Sequence, residues 1–119
     1  MAKITILTTW KKDNVKLVYV VKSDGTEYRP VKSECHVDAL FNEITCVNIY
    51  ETFQTLYILE YIYTPGAYTD DIRVSYYFPG SEIKSISYTD LPEAVKNAFR
   101  EFITKARRKL NLNITYIPI

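Results

Sequence analysis

Glycine occurs three times in the chain, and each occurrence marks a turn between segments of alternating apolar and polar residues. Asp24-Gly25 lies between "KLVYVV" and "TEYRPV", Pro65-Gly66 opens a loop ahead of "IRVSYYF", and Pro79-Gly80 follows that segment. The first suits a two-residue hairpin and the last a type II turn, with proline second and glycine third. A period of two between such breakers predicts strands. They are expected over 3–11, 15–22, 26–31, 46–53, 55–63, 72–78 and 82–88, with Arg29-Pro30 marking 26–31 as an edge. No glycine is left over for a phosphate-cradling loop or a dinucleotide fingerprint, so nucleotide binding by those two routes is close to excluded.

Two stretches change to the helical period. Ser33 can cap a helix over 34–44 whose apolar stripe is Val37, Leu40, Phe41 and Ile44. In the second, Asp90 is placed to cap, Pro92 falls in the first turn, and Glu93 completes a box-like pair. Leu91, Val95, Ala98, Phe99, Phe102, Ile103, Ala106 and Leu110 then share one face, and Asn111 suits the stop. Hairpins with two amphipathic helices and no βαβ unit predict an α+β fold. The expected form is a mainly antiparallel sheet with two helices packed on one face, in the order ββ(β)αβββ(β)α. A chain of 119 residues is expected to form one domain over 1–119, with 111–119 an apolar tail. That order of elements carries no functional inference by itself.

No apolar run approaches the roughly 20 residues of a membrane span, and the start "MAKITILTTW" is too short and polar for a signal peptide. The expectation is an intracellular, cytoplasmic protein with no membrane partner. A single glutamine, no methionine after the first, and many charges match proteins of hot environments or, equally, a biased source genome. Charge is unevenly spread. Residues 33–72 hold seven carboxylates and no lysine or arginine, while both flanks are basic. The island is neutralised within the molecule or meets a complementary surface on a partner.

Six of the eleven tyrosines fall between Gln54 and Phe78. Alternation on 55–63 puts Leu56, Ile58, Glu60 and Ile62 on one face and Tyr57, Leu59, Tyr61 and Tyr63 on the other. If the aliphatic set lies under the helices, Tyr57, Tyr61, Tyr63 and Tyr77 form an open face with Arg73. Such a face is solvated, or it anchors a protein interface, or it stacks bases. Base stacking needs cations beside the rings, and only Arg73 is near, so a protein interface ranks above it. The uncharged tail "LNLNITYIPI", with Ile114, Tyr116 and Ile117, docks on its own sheet or on that of a second copy.

The chemistry-bearing residues are few. His36, the only histidine, stands beside Cys35, Glu34 and Asp38. It is the sole basis for a small hydrolase or metal-dependent nuclease, and Cys35 and Cys46 with it lack a fourth zinc ligand. Cys35 and Cys46 are free thiols or a disulfide of the kind cytosolic proteins normally lack. The basic end of the second helix, with Lys96, Arg100, Lys105, Arg107, Arg108 and Lys109, complements the helix dipole. Joined by Lys11, Lys12 and Lys16 of the first hairpin, it also suits nucleic-acid phosphates. No cofactor is implied. The leading expectation is a non-enzymatic binding or regulatory homodimer assembled through the tyrosine face and tail, with nucleic-acid binding as the alternative.

Overall fold

A computed structural model describes residues 3–11, 14–51, 53–63 and 70–111, with 110 and 111 described as backbone. Among these residues there is one antiparallel sheet and one α-helix. The strands are β1 (Lys3–Lys11), β2 (Asn14–Lys22), β3 (Lys32–Asp38), β4 (Glu43–Glu51), β5 (Leu56–Tyr63), β6 (Asp71–Tyr77) and β7 (Lys84–Ser85). A 3-10 turn, Tyr88–Asp90, leads into α1 (Glu93–Asn111). The spatial order is β3-β4-β1-β2-β5-β6-β7. The tail, with Ile114, Tyr116 and Ile117, lies outside the described residues, as does Lys12.

The expected helix over 34–44 does not form, so the α+β arrangement with two helices on one face is corrected to a mainly antiparallel sheet with one helix. The segment is instead a strand, a turn and a strand, paired from Lys32↔Ile49 to Asp38↔Glu43. Its turn chemistry is local. Asp38 Oδ1 accepts from the amides of Leu40 at 3.1 Å and Phe41 at 3.3 Å, and Asn42 takes a left-handed φ of 53°. Aspartate bonding its own backbone two residues on, and asparagine tolerating that φ, are turn preferences that outweigh helix propensity here. Two expected strands also shrink. The segment 26–31 forms no continuous strand, touching the sheet through the bridge Val21↔Glu27 and a few main-chain bonds such as Val31 N–H to Ile49 O at 2.8 Å, and 82–88 gives only the two residues of β7.

The sheet is pinched open in its middle. β1 follows β4 along its whole length but pairs with β2 only at Thr9↔Lys16, Trp10↔Val15 and Lys11↔Asn14. Where β1 departs, the returning chain takes its place on the edge of β2. Tyr28 N–H donates to Val20 O at 2.8 Å and Lys22 N–H to Thr26 O at 2.9 Å. Gly25 makes this hairpin possible, with a φ of 84° and its Cα against α1. A Cβ there would stand 2.6 Å from the carbonyl oxygen of Ala94, so no side chain fits.

Two cores result, one on each face. On the helix side, Val95, Phe99, Ile103 and Ala106 of α1 bury Val21, Leu59, Tyr61 and Tyr63. On the opposite side, Ile4, Ile6, Val20, Tyr50, Leu56, Ile58 and Tyr77 cluster, with Tyr28 packed against them. The Tyr28 ring stacks on Tyr50 at 6.3 Å between centroids, and its hydroxyl donates to Glu51 O. β5 is therefore covered on both faces, and its alternation separates two apolar sets rather than an inside from an outside.

Candidate functional site

The tyrosine face lies under the helix, not in the open. Tyr61 and Tyr63 are buried and Tyr57 is partly so, all packed with α1. Tyr77 is buried on the opposite face, and Arg73, on that face but separated from it by Ser75, reaches back to Asp71 at 3.4 Å. The five residues expected to share one open face are thus split between two sides of the sheet, three of them beneath α1. Two of the tyrosines under the helix, Tyr61 and Tyr19, have clear structural partners, while the buried Tyr63 hydroxyl has none among the described residues. The Tyr61 hydroxyl donates to Asp70 Oδ2, and Arg107 grips the same carboxylate at 2.7 Å from Nε and 3.0 Å from a terminal nitrogen. The Tyr19 ring stacks on Phe102 at 4.6 Å.

The basic residues are dispersed. Arg107 is committed to Asp70, Lys16 pairs with Glu60 at 2.7 Å, and Lys11 with Glu43 at 3.4 Å. Lys96 lies 3.9 Å from Glu93. Arg100, Lys105 and Arg108 remain along the outer ridge of α1, where they line a shallow groove with Glu101 and Thr104. Near them a cavity of about 420 Å³ between α1 and β6 is lined by Ile72, Val74 and Ile86 and by Arg100 and Arg107.

His36 stands exposed on β3, opposite Thr45, rather than on a helix. Among the described residues, no three His, Cys, Asp or Glu side chains gather to hold a metal. Cys35 and Cys46 face each other across β3 and β4 and are bridged. No helix of the described residues is long and apolar enough to cross a membrane.

Among the described residues, β3 is the long edge that the sheet leaves open. Trp10, Ile44 and Val37 form one row across three strands through the pairs Trp10↔Ile44 and Val37↔Ile44. They are 43%, 41% and 64% exposed, and the hairpin tip beyond them carries Leu40 at 86% and Phe41 at 70%. Single exposed apolar residues are ordinary on a protein surface, whereas these lie next to one another.

Beside that strip runs an open strand edge. The Cα atoms of Cys35 and Cys46 are 4.0 Å apart, the close spacing of a non-hydrogen-bonded antiparallel pair. The main-chain groups of Cys35 therefore point away from β4, and by alternation so do those of Ser33 and Val37. The disulfide fastens β3 to β4, which keeps those groups aligned. Sequence reasoning passed over this surface because it assigned Val37, Leu40, Phe41 and Ile44 to a buried helical stripe. The pair of turn residues around "ALF", Asp38 and Asn42, signals the hairpin, though not that β3 lies outermost.

No family model, curated protein or solved structure matches this chain.

Proposed function

We propose that the chain is a small non-enzymatic binding protein that meets a protein partner through the β3 edge and its apolar hairpin. One observation carries this reading: an exposed aromatic and aliphatic strip, Trp10, Ile44, Val37, Leu40 and Phe41, runs beside unpaired strand groups. Aromatic anchors supply large contact area, and a free edge supplies main-chain hydrogen bonds to an added strand. Natural sheets blunt such edges with charged side chains, proline, bulges or a covering segment, and of these β3 carries the charges of Lys32, Glu34 and Asp38. β3 has no proline between Lys32 and Asp38 and leaves six of its seven side chains exposed. The interface reading that began on the tyrosines thus moves to another part of the molecule.

Nucleic-acid binding is the second reading, and it now rests on the helix ridge of Arg100, Lys105 and Arg108. The two separate in one experiment. A photo-crosslinking phenylalanine analogue is placed at Phe41 in one variant and at Arg108 in another, and each is irradiated in the expressing cell. The reading predicts a protein adduct of one defined mass from position 41 and none from position 108. Adducts from position 108 alone, above all to nucleic acid, would overturn it.

A further inference from the structure

Building on that reading of β3 as the contact edge, we infer that its occupant is a second copy of this chain, joined edge to edge in antiparallel register about Cys35. The strand reads Lys32-Ser33-Glu34-Cys35-His36-Val37-Asp38, and its charges are arranged so that each end complements the other. Turned against itself about Cys35, it sets Lys32 opposite Asp38 of the second copy, Glu34 opposite His36, and Ser33 opposite Val37. Two-fold symmetry makes the Lys32–Asp38 ion pair occur twice, and likewise the contact of the Glu34 carboxylate with the His36 imidazole. The adjacent symmetric registers are disfavoured. One places Glu34 opposite Glu34, and the other places Glu34 opposite Asp38. Like charges directly opposite one another in a ladder are destabilising, so the charge pattern favours the register about Cys35 over both of its neighbours, and it is the one that pairs the whole strand from Lys32 to Asp38.

The backbone agrees with the same register. Ser33, Cys35 and Val37 are the residues whose main-chain groups point outward, and this register joins Ser33 to Val37 and Cys35 to Cys35 as hydrogen-bonded pairs. A slip of one residue would set an outward-pointing residue against an inward-pointing one and forfeit the ladder's hydrogen bonds. The apolar surfaces also meet. Val37 extends the Trp10–Ile44 row toward the new strand, and the tip with Leu40 and Phe41 runs past Lys32 toward Val31 of the second copy. Val31 is 56% exposed. Lys32 already lies 2.8 Å from Glu34, but both side chains are mostly exposed, so that pair contributes little and yields readily. The Asp38 carboxylate keeps its bonds to the hairpin amides and faces the incoming lysine with its charge.

The test is sedimentation equilibrium of the full chain over a wide concentration range, with three variants. Wild type is expected to dimerise. Val37→Pro removes an outward N–H at an edge, where proline is tolerated, and should leave a monomer with unchanged circular dichroism. His36→Glu sets one carboxylate against another, opposite Glu34 of the second copy and twice over by symmetry. It should raise the dimer dissociation constant about tenfold. Glu34→Lys combined with His36→Glu restores the unlike pairs and should restore the wild-type value. A wild-type chain that stays monomeric while position 41 crosslinks a foreign protein would overturn the second copy but leave the contact edge standing. A dimer indifferent to all three variants would overturn both, and would place assembly elsewhere.

Discussion

Phe99→Ala is expected to lower the unfolding free energy by about 3–5 kcal/mol, read by chemical denaturation, with a fall in melting temperature of about 10–20 °C. Phe99 is fully buried, and it meets the Tyr19 ring edge-on at 6.2 Å between centroids. Removing its ring leaves a cavity bounded by the sheet on one side and α1 on the other, where neither can collapse inward. The cost therefore combines lost transfer energy with lost packing. The result bears on function through the tyrosines. If α1 covers Tyr57, Tyr61 and Tyr63, losing its central anchor is severe. A cost below about 1 kcal/mol would mean that Phe99 is not buried between α1 and the sheet. Leu40→Ala serves as the contrast: Leu40 is 86% exposed, and its loss should change stability by less than about 0.5 kcal/mol.

Asp70→Ala is expected to cost about 2 kcal/mol, the scale for losing charge-assisted hydrogen bonds at a part-buried site. The Asp70 side chain keeps only 7% of its exposure, and the Arg107 side chain keeps 24%. Deleting the carboxylate strands the Tyr61 hydroxyl under the helix and leaves the guanidinium without its bidentate partner. The pair also sets a pH dependence. Hydrogen bonds from Arg107, above all, and the one from Tyr61 hold the Asp70 carboxyl below the ordinary carboxylate range despite burial. Its contribution is thus complete above the unfolded value of about pH 4 and is lost as pH falls through the lower folded value. Tyr61 acts at the other end of the scale. Burial, first, and then the bond to Asp70 and its charge raise the phenol pKa. Its contribution is complete below about pH 10 and is lost as pH rises through the higher folded value. Denaturation of Asp70→Ala should therefore be less steep in acid than that of wild type. An unchanged acid limb would mean that the pair is absent in solution.

Much of the sheet could be read from the sequence. β1, β2, β5 and β6 fell close to their expected limits because period-two alternation bounded by glycine, proline and asparagine turns leaves few alternatives. α1 was equally plain, since its apolar residues keep one face over nineteen residues. Its start was placed too early. Asp90 belongs to the 3-10 turn, and the first helical bond that skips four residues joins Lys96 N–H to Pro92 O at 3.0 Å.

The misread segment had a physical ambiguity. Val37, Leu40, Phe41 and Ile44 have helical spacing, yet the same spacing is symmetric about a turn between Leu40 and Phe41. It places Val37 opposite Ile44 in a hairpin as readily as on one helix face. Side-chain chemistry decided it, through Asp38 and Asn42. The orientation of β5 was illegible for another reason: both of its faces are buried, so aliphatic and aromatic character did not tell which one the helix covers. The exposed edge could not be foreseen without the strand order, because it depends on β3 lying outermost.

The measurement that tests the contact edge most directly is amide hydrogen exchange, residue by residue, in dilute and in concentrated samples of the full chain. The expected pattern alternates. Glu34, His36 and Asp38, bonded to β4, stay protected at both concentrations, while Ser33, Cys35 and Val37 exchange fast when dilute and gain protection when concentrated. Ser33, Cys35 and Val37 exchanging equally at every concentration, or protection gained only along α1, would contradict the account.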